Sequence, residues 1–151
     1  MSGREAAFVP ARVSPLEEQL RGLYGPDEDA PLRVTASGIW HPTPLPVLGA
    51  AVPALEKAGL LAPGALLFDA GMGDGRVLAA LALGLRAEHR LRLAGLESDR
   101  ALATEARLRL NAIERRTGTA ASLRIAHGDY FHPRYHAALG HHGDACKLNI
   151  D

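Results

Sequence analysis

Three groups of residues have the types and spacing to hold a small polar molecule. One is a glycine turn, Asp69-Ala70-Gly71-Met72-Gly73-Asp74-Gly75, and the others are two later acids, Glu97 and Asp129. Glycines at alternate positions accept positive φ and let backbone approach a ligand with no Cβ in the way. A carboxylate offers paired acceptors, so one acid near such a turn suits a vicinal diol and another suits an exocyclic amine. Tyr130 and Phe131 follow Asp129 directly, where an aromatic ring would cover a base. A diol acceptor, an amine acceptor and an apolar slot are together what an adenosine requires.

The elements that must position these residues follow from the apolar pattern. Ala65–Asp69 is a short apolar run that reads as a buried strand, and Val77, Leu78, Leu81 and Leu85 continue as a helix expected over Asp74–Arg86. A second strand is expected at Leu91–Glu97. A helix then runs over Asp99–Arg116, with Leu102, Ala106, Leu110 and Ile113 on one face, and stops at Thr117-Gly118. A third strand covers Ser122–Ala126 and ends at His127-Gly128-Asp129. Strands alternating with helices imply parallel βαβ units with right-handed crossovers. Open α/β sheets bind ligands beyond the carboxyl ends of their strands. Asp69, Glu97 and Asp129 all fall there, and the helix after the glycine turn would add free N–H groups and the positive end of its dipole.

Upstream of this unit, residues 1–13 carry no periodicity and are expected to be loose. Ser14-Pro15-Leu16-Glu17 reads as a capping box, with Ser14 as the cap and Glu17 reaching back to it. Leu16, Leu20 and Leu23 then make the apolar stripe of a short helix ending near Gly25-Pro26, and Asp27-Glu28-Asp29 reads as a solvated turn. Residues 31–46 are punctuated by prolines, which excludes a central strand or a helix interior. A second helix is expected from Val47 to Lys57, kinked or split by Pro53. The expected organisation is a loose 1–13, N-terminal helices and a Pro-rich ligand-side loop over 14–60, and a ligand-binding half domain over 61–151.

The glycine spacing narrows the ligand. A dinucleotide turn has G-x-G-x-x-G, but Arg76 stands where the third glycine belongs, and no Gly-Lys-Ser/Thr of a phosphate loop follows. The run Asp69-Ala70-Gly71-Met72-Gly73-Asp74-Gly75 instead resembles motif I of class I S-adenosylmethionine-dependent methyltransferases. Gly95-Leu96-Glu97-Ser98-Asp99 is similar to that family's second acidic motif, and Gly128-Asp129-Tyr130-Phe131 to its adenine-contacting motif, so the resemblance covers residues 65–131. It implies S-adenosyl-L-methionine as cofactor. Asp69, Gly71, Gly73 and Gly75 would line the methionine end, Glu97 would hold the ribose, and Asp129 and Tyr130 the adenine. A narrower likeness joins Gly73-Asp74-Gly75-Arg76 to the upstream Trp40-His41-Pro42-Thr43-Pro44, which together resemble the seven-strand protein-lysine methyltransferases. It implies that Thr43 contacts the cofactor, that Trp40 walls the pocket and that a protein lysine is the acceptor. Trp40 also reads as a plain core anchor at a proline-rich corner.

The family's full sheet has seven strands in the order 3-2-1-4-5-7-6. This chain supplies 3-2-1 of a Rossmann-like parallel sheet with flanking helices and an N-terminal helical extension. Residues 144–151 are the candidate for strand 4, with Asn149-Ile150-Asp151 where the family's motif IV begins. The chain therefore reads as a truncated or degenerate copy, or as a half that needs a partner chain to complete the sheet. The open flank of its first strand implies marginal stability alone or association through that edge. Two readings stand beside a methyltransferase: a catalytically inactive cofactor-binding remnant or partner subunit, and an NAD-dependent oxidoreductase, which the missing third glycine disfavours. No general base stands out, and the Asn/Asp-Pro-Pro-Tyr/Phe motif of amino-methylating DNA enzymes is absent.

Composition bounds the remaining classes. A chain of 151 residues with 47% hydrophobic and 23% charged residues fits one globular domain. Net charge is zero and the arginines are dispersed, so neither nucleic acid nor an acidic membrane surface is an expected partner. The single cysteine, Cys146, excludes an internal disulfide and a Cys-rich zinc site. His132, His136, His141 and His142 lie near it, but Pro133 and Gly140 break the helix that an i, i+4 metal pair requires, and no metal is expected. No stretch has the length of a membrane span, and the N-terminus lacks the pattern of a signal peptide, which makes cytoplasmic the expected localisation.

Overall fold

The computed structural model describes residues 13–26, 31–36, 38–85, 90–117, 122–132 and 134–135. Within them the chain forms α1 (Pro15–Tyr24), β1 (Arg33–Thr35), β2 (Gly38–Trp40), α2 (Leu45–Lys57), β3 (Leu66–Ala70), α3 (Arg76–Gly84), β4 (Arg92–Glu97), α4 (Arg100–Thr117) and β5 (Ser122–His127). The expected fourth strand at 144–151, the turn at Asp27-Glu28-Asp29, and His136, His141, His142 and Cys146 lie outside the described residues. Among the described residues no helix is long and apolar enough to cross a membrane.

β3, β4 and β5 form a parallel sheet in that spatial order, which is the expected 3-2-1 arrangement counted from the first core strand. Asp69 is level with Gly95 and Glu97 with His127, so the three carboxyl ends form one edge. Side chains alternate across a strand, and the sheet accordingly has two different faces. Leu67, Leu93, Leu123 and Ile125 belong to the main core, which α1 to α4 complete. Leu66, Phe68, Ala94, Leu96 and Ala126 make a smaller cluster on the other face, closed by Tyr130 and Tyr135 from the segment after β5. Fully burying a leucine such as Leu93 or Leu96 is worth about 1.5–3 kcal/mol. These two therefore hold β4 in the centre of the sheet from both sides.

Local chemistry explains where the elements begin. Ser14 Oγ accepts the Glu17 N–H at 3.1 Å, and Pro15 takes the first helical position of α1. The return half of the expected box is replaced: Glu17 accepts from the Arg21 guanidinium at 2.8 and 3.0 Å, one turn along. α2 starts two residues earlier than expected, because Pro46 falls in a first turn whose N–H groups lack helical partners in any case. Pro53 lies within α2 without splitting it. The β1–β2 hairpin, antiparallel with Arg33 opposite Trp40, is not apparent from the proline pattern. It occupies the proline-free stretch between Pro31 and Pro42, and it delivers Trp40 to the glycine turn.

Candidate functional site

The glycine turn is a left-handed bend whose donors are consumed inside the protein. Gly71, Gly73 and Gly75 have φ of +79°, +56° and +81°, a region open to glycine at little cost. Gly71 and Met72 N–H donate to the Leu96 carbonyl at 2.8 and 3.1 Å, and Gly75 N–H donates to the Met72 carbonyl at 2.9 Å. Gly73 N–H donates to Glu97 Oε2 at 2.8 Å. The left-handed Gly75 is the N-cap of α3, which is why the helix starts at Arg76 and not at Asp74. The expected row of free turn N–H groups is therefore largely spent, and a phosphate cradle is not what the turn offers.

The acids named from the sequence meet at this edge in three different states. Asp69, at the end of β3, has its Oδ2 buried without a hydrogen-bond partner. Burial, with the Glu97 charge adding to it, pushes the Asp69 carboxyl up to about 6. Glu97 is 7% exposed. Its Oε2 takes Gly73 N–H, and its Oε1 takes the Asp99 N–H at 2.8 Å and the Ser98 hydroxyl at 3.3 Å. Asp129 is exposed, and its Oδ1 accepts the Phe131 N–H at 2.9 Å, which turns the chain so that Tyr130 closes the smaller cluster.

Two clefts share Gly71 as a common wall. One, of about 120 Å³, is lined by Trp40, Thr43, Asp69, Gly71, Asp74 and Arg76 among others. The other, of about 400 Å³, is lined by Gly71, Leu96, Ser98, Asp129, Tyr130 and Phe131. A Cβ on Gly71 would point into open space, so the turn separates the clefts without blocking either. The structure thus gathers Thr43, Asp69 and Gly71 on one side, and Asp129 and Tyr130 on the other. Gly73, Gly75 and Glu97 line neither cleft. Gly73 lies under the Trp40 indole, Gly75 sits against Ala106 of α4, and Glu97 braces the turn from beneath.

A buried charged network surrounds the smaller cleft. Asp74 and Arg76 are 3% and 5% exposed and pair with each other, Arg76 Nη2 lying 2.9 Å from Asp74 Oδ2. Arg76 Nη1 also donates to the Thr43 carbonyl at 3.0 Å. Its guanidinium lies 5.8 Å from the Trp40 ring and 5.2 Å from that of Tyr24. Arg109 covers Tyr24 at 4.7 Å and approaches Asp74 at 3.6 Å. Burial, and then the Asp74 charge, push the Tyr24 phenol well above its usual range. Asp74 and Arg76 were legible only as part of a Gly-Asp-Gly-Arg likeness. Opposite charges two residues apart between glycines and an apolar helix were the available signal of a buried pair. Among the described residues no His/Cys/Asp/Glu group has the makings of a metal site.

No family model matches this chain, and no curated protein does. A solved structure from work on the "Conversion of a Disulfide Bond into a Thioacetal Group during Echinomycin Biosynthesis" is 35% identical to it, with a TM-score of 0.34. That similarity covers 51% of this chain, which spans 28% of the other chain's length. The chain is a small α/β domain, with a three-strand parallel sheet flanked by helices in a Rossmann-like arrangement.

Proposed function

We propose that this chain binds S-adenosyl-L-methionine as the cofactor-binding half of a class I methyltransferase. The observation that carries the reading is the unpartnered Asp69 Oδ2, a buried acceptor in a cleft whose neighbouring turn has the N–H groups of Gly71, Met72, Gly73 and Gly75 already taken. An orphaned carboxylate oxygen costs about 1–3 kcal/mol or more unless a donor reaches it. The three carboxylates of Asp69, Asp74 and Glu97 outnumber Arg76 and Arg109, both of which are paired with Asp74, and so suit a cationic ligand, such as an ammonium or sulfonium, and oppose a pyrophosphate. That sets the NAD reading aside on electrostatics as well as on glycine spacing.

The methionine end would lie in the smaller cleft against Asp69 and Thr43, and the adenosine would cross Gly71 into the larger one. There Asp129 would accept from the adenine amine and Tyr130 would cover the ring. Glu97 lines neither cleft and holds protein donors on both oxygens, so a ribose hydroxyl would have to reach in to the one acceptor direction left on Oε2. The bound cofactor would supply an electrophilic methyl group, and the chain's contribution is to orient it. A protein lysine is the acceptor we place first, on the likeness of the Trp40–Pro44 loop and Gly73-Asp74-Gly75-Arg76. A second reading, a cofactor-binding partner subunit without turnover, is favoured by β3, which among the described residues pairs only with β4.

Calorimetric titration with S-adenosylhomocysteine and with NAD tests the reading. Micromolar binding of the first and none of the second is expected, and preference for NAD contradicts it. Methyl transfer to lysine-bearing protein, measured alongside, separates the enzyme from the partner subunit.

A further inference from the structure

The residues from Trp40 to Thr43 form a strap across the smaller cleft, and its anchorage is unusual. Prolines at 42, 44 and 46 leave few backbone donors there, and α2 begins only at Leu45. Beyond the hairpin pairing of Trp40 with Arg33, the strap is tied down by side chains, chief among them Arg76 at the start of α3. Arg76 is held on Asp74 through three contacts of 2.9–3.3 Å, and it reaches out to the Thr43 carbonyl at 3.0 Å. Its guanidinium also faces the Trp40 ring, which lies over Gly73, where any Cβ would overlap the indole. Arg33 stacks on the same ring at 5.3 Å and pairs with Glu105 of α4, so Trp40 is held from a second direction.

We propose that Arg76 is a positioning residue: buried on Asp74, it fixes the Trp40–Thr43 strap over the Asp69 cleft and thereby sets affinity for the amino-acid end of the ligand. The identity of that end rests on the cofactor reading above, whereas the fixing of the strap does not. A planar guanidinium satisfies Asp74 and the Thr43 carbonyl together and stacks on Trp40, and an ammonium cannot do all three. Its effect is confined to one cleft, because the larger cleft shares Gly71 with this one but none of the strap.

The test compares the wild type with Arg76→Lys, which keeps a cation on Asp74, and with Arg76→Met. Trp40 is the only tryptophan, so acrylamide quenching of its emission reports the strap without any ligand. Quenching is expected to rise in Arg76→Lys while the far-ultraviolet spectrum is retained, and unchanged quenching in a folded variant overturns the proposal. Affinity for S-adenosylhomocysteine is expected to fall tenfold or more in Arg76→Lys, with affinity for adenosine, which lacks the amino-acid end, within twofold. Equal loss of both ligands points to general loosening and also overturns it. If Arg76→Met does not fold, the lysine variant decides alone. A wild type that binds neither nucleoside, yet shows the expected quenching change, removes the cofactor reading and leaves the strap assignment standing.

Discussion

Glu97 Oε2 accepts the Gly73 N–H at 2.8 Å, so an acid at the end of one strand holds the bend that follows its neighbour. The same carboxylate caps the Ser98-Asp99 turn through Oε1. Replacing it by glutamine leaves one acceptor oxygen and turns an NH₂ toward the other buried donor. Glu97→Gln is expected to lose about 1.5–3 kcal/mol of stability, the usual worth of hydrogen bonds to a charged group. Urea unfolding with an unchanged m-value checks this, and a loss below 0.5 kcal/mol, on the order of an ordinary surface change, contradicts it.

Asp69 should trade stability for binding. Its carboxyl is raised from 3.8 to about 6 in the folded chain, so between those values the folded state holds more proton than the unfolded state. Its contribution therefore lowers stability as pH rises from about 4 to about 6 and is level above that. Asp69→Asn is expected to remove this slope, leaving the protein at pH 7 as stable as wild type or more so. It should also weaken S-adenosylhomocysteine binding at least tenfold. In the wild type that affinity should rise through pH 6, as the carboxylate ionises to meet the ligand's ammonium. Unfolding and titration across pH 4.5–8, roughly the window around that group, give both slopes.

The three turn glycines are not equivalent. Gly71→Ala meets only the left-handed φ penalty, about 1–2 kcal/mol, since its Cβ would find open space. Gly75→Ala adds contact with Ala106, whose Cβ would stand 3.0 Å away and whose Cα 3.3 Å away, on the α4 backbone. It should lose about 1–3 kcal/mol more. Thermal melts of the two variants side by side check the order, and an equal loss contradicts it.

Asp99 has a role that is structural. Its Oδ1 accepts the N–H groups of Ala101 and Leu102 at 2.9 and 3.0 Å, capping α4. Asp99→Ala should lose about 1 kcal/mol, with nucleoside affinity unchanged. A loss of affinity at unchanged stability would make it a ligand residue instead.

Much of this fold can be read from spacing. The apolar runs before Gly71, before Ser98 and before Gly128 locate three strands to within a residue or two, and the acids after them locate one edge. Strand and helix periods are local, so a single chain displays them. What spacing conceals is the partner of each polar group. Glu97 reads as a ribose acceptor from its place at a strand end, and that place does not disclose that its oxygens also hold Gly73 and Asp99, a relation set by how the bend folds back over β4. Arg76 reads as a missing glycine, yet it is a buried cation whose partners come from residue 43 and from two positions before it. The hairpin that brings Trp40 to Gly73 is equally hidden, because Val34 and Ile39, its paired apolar residues, are 88% and 75% exposed and face no core.

The most direct test is an amide spectrum of the ¹⁵N-labelled chain titrated with S-adenosylhomocysteine. Saturable shifts at Gly71, Thr43, Asp129 and Tyr130, spanning both clefts and lost in Asp69→Asn, are the expected result. Shifts confined to residues away from the carboxyl edge of the sheet, or no shifts at millimolar ligand, contradict the assignment.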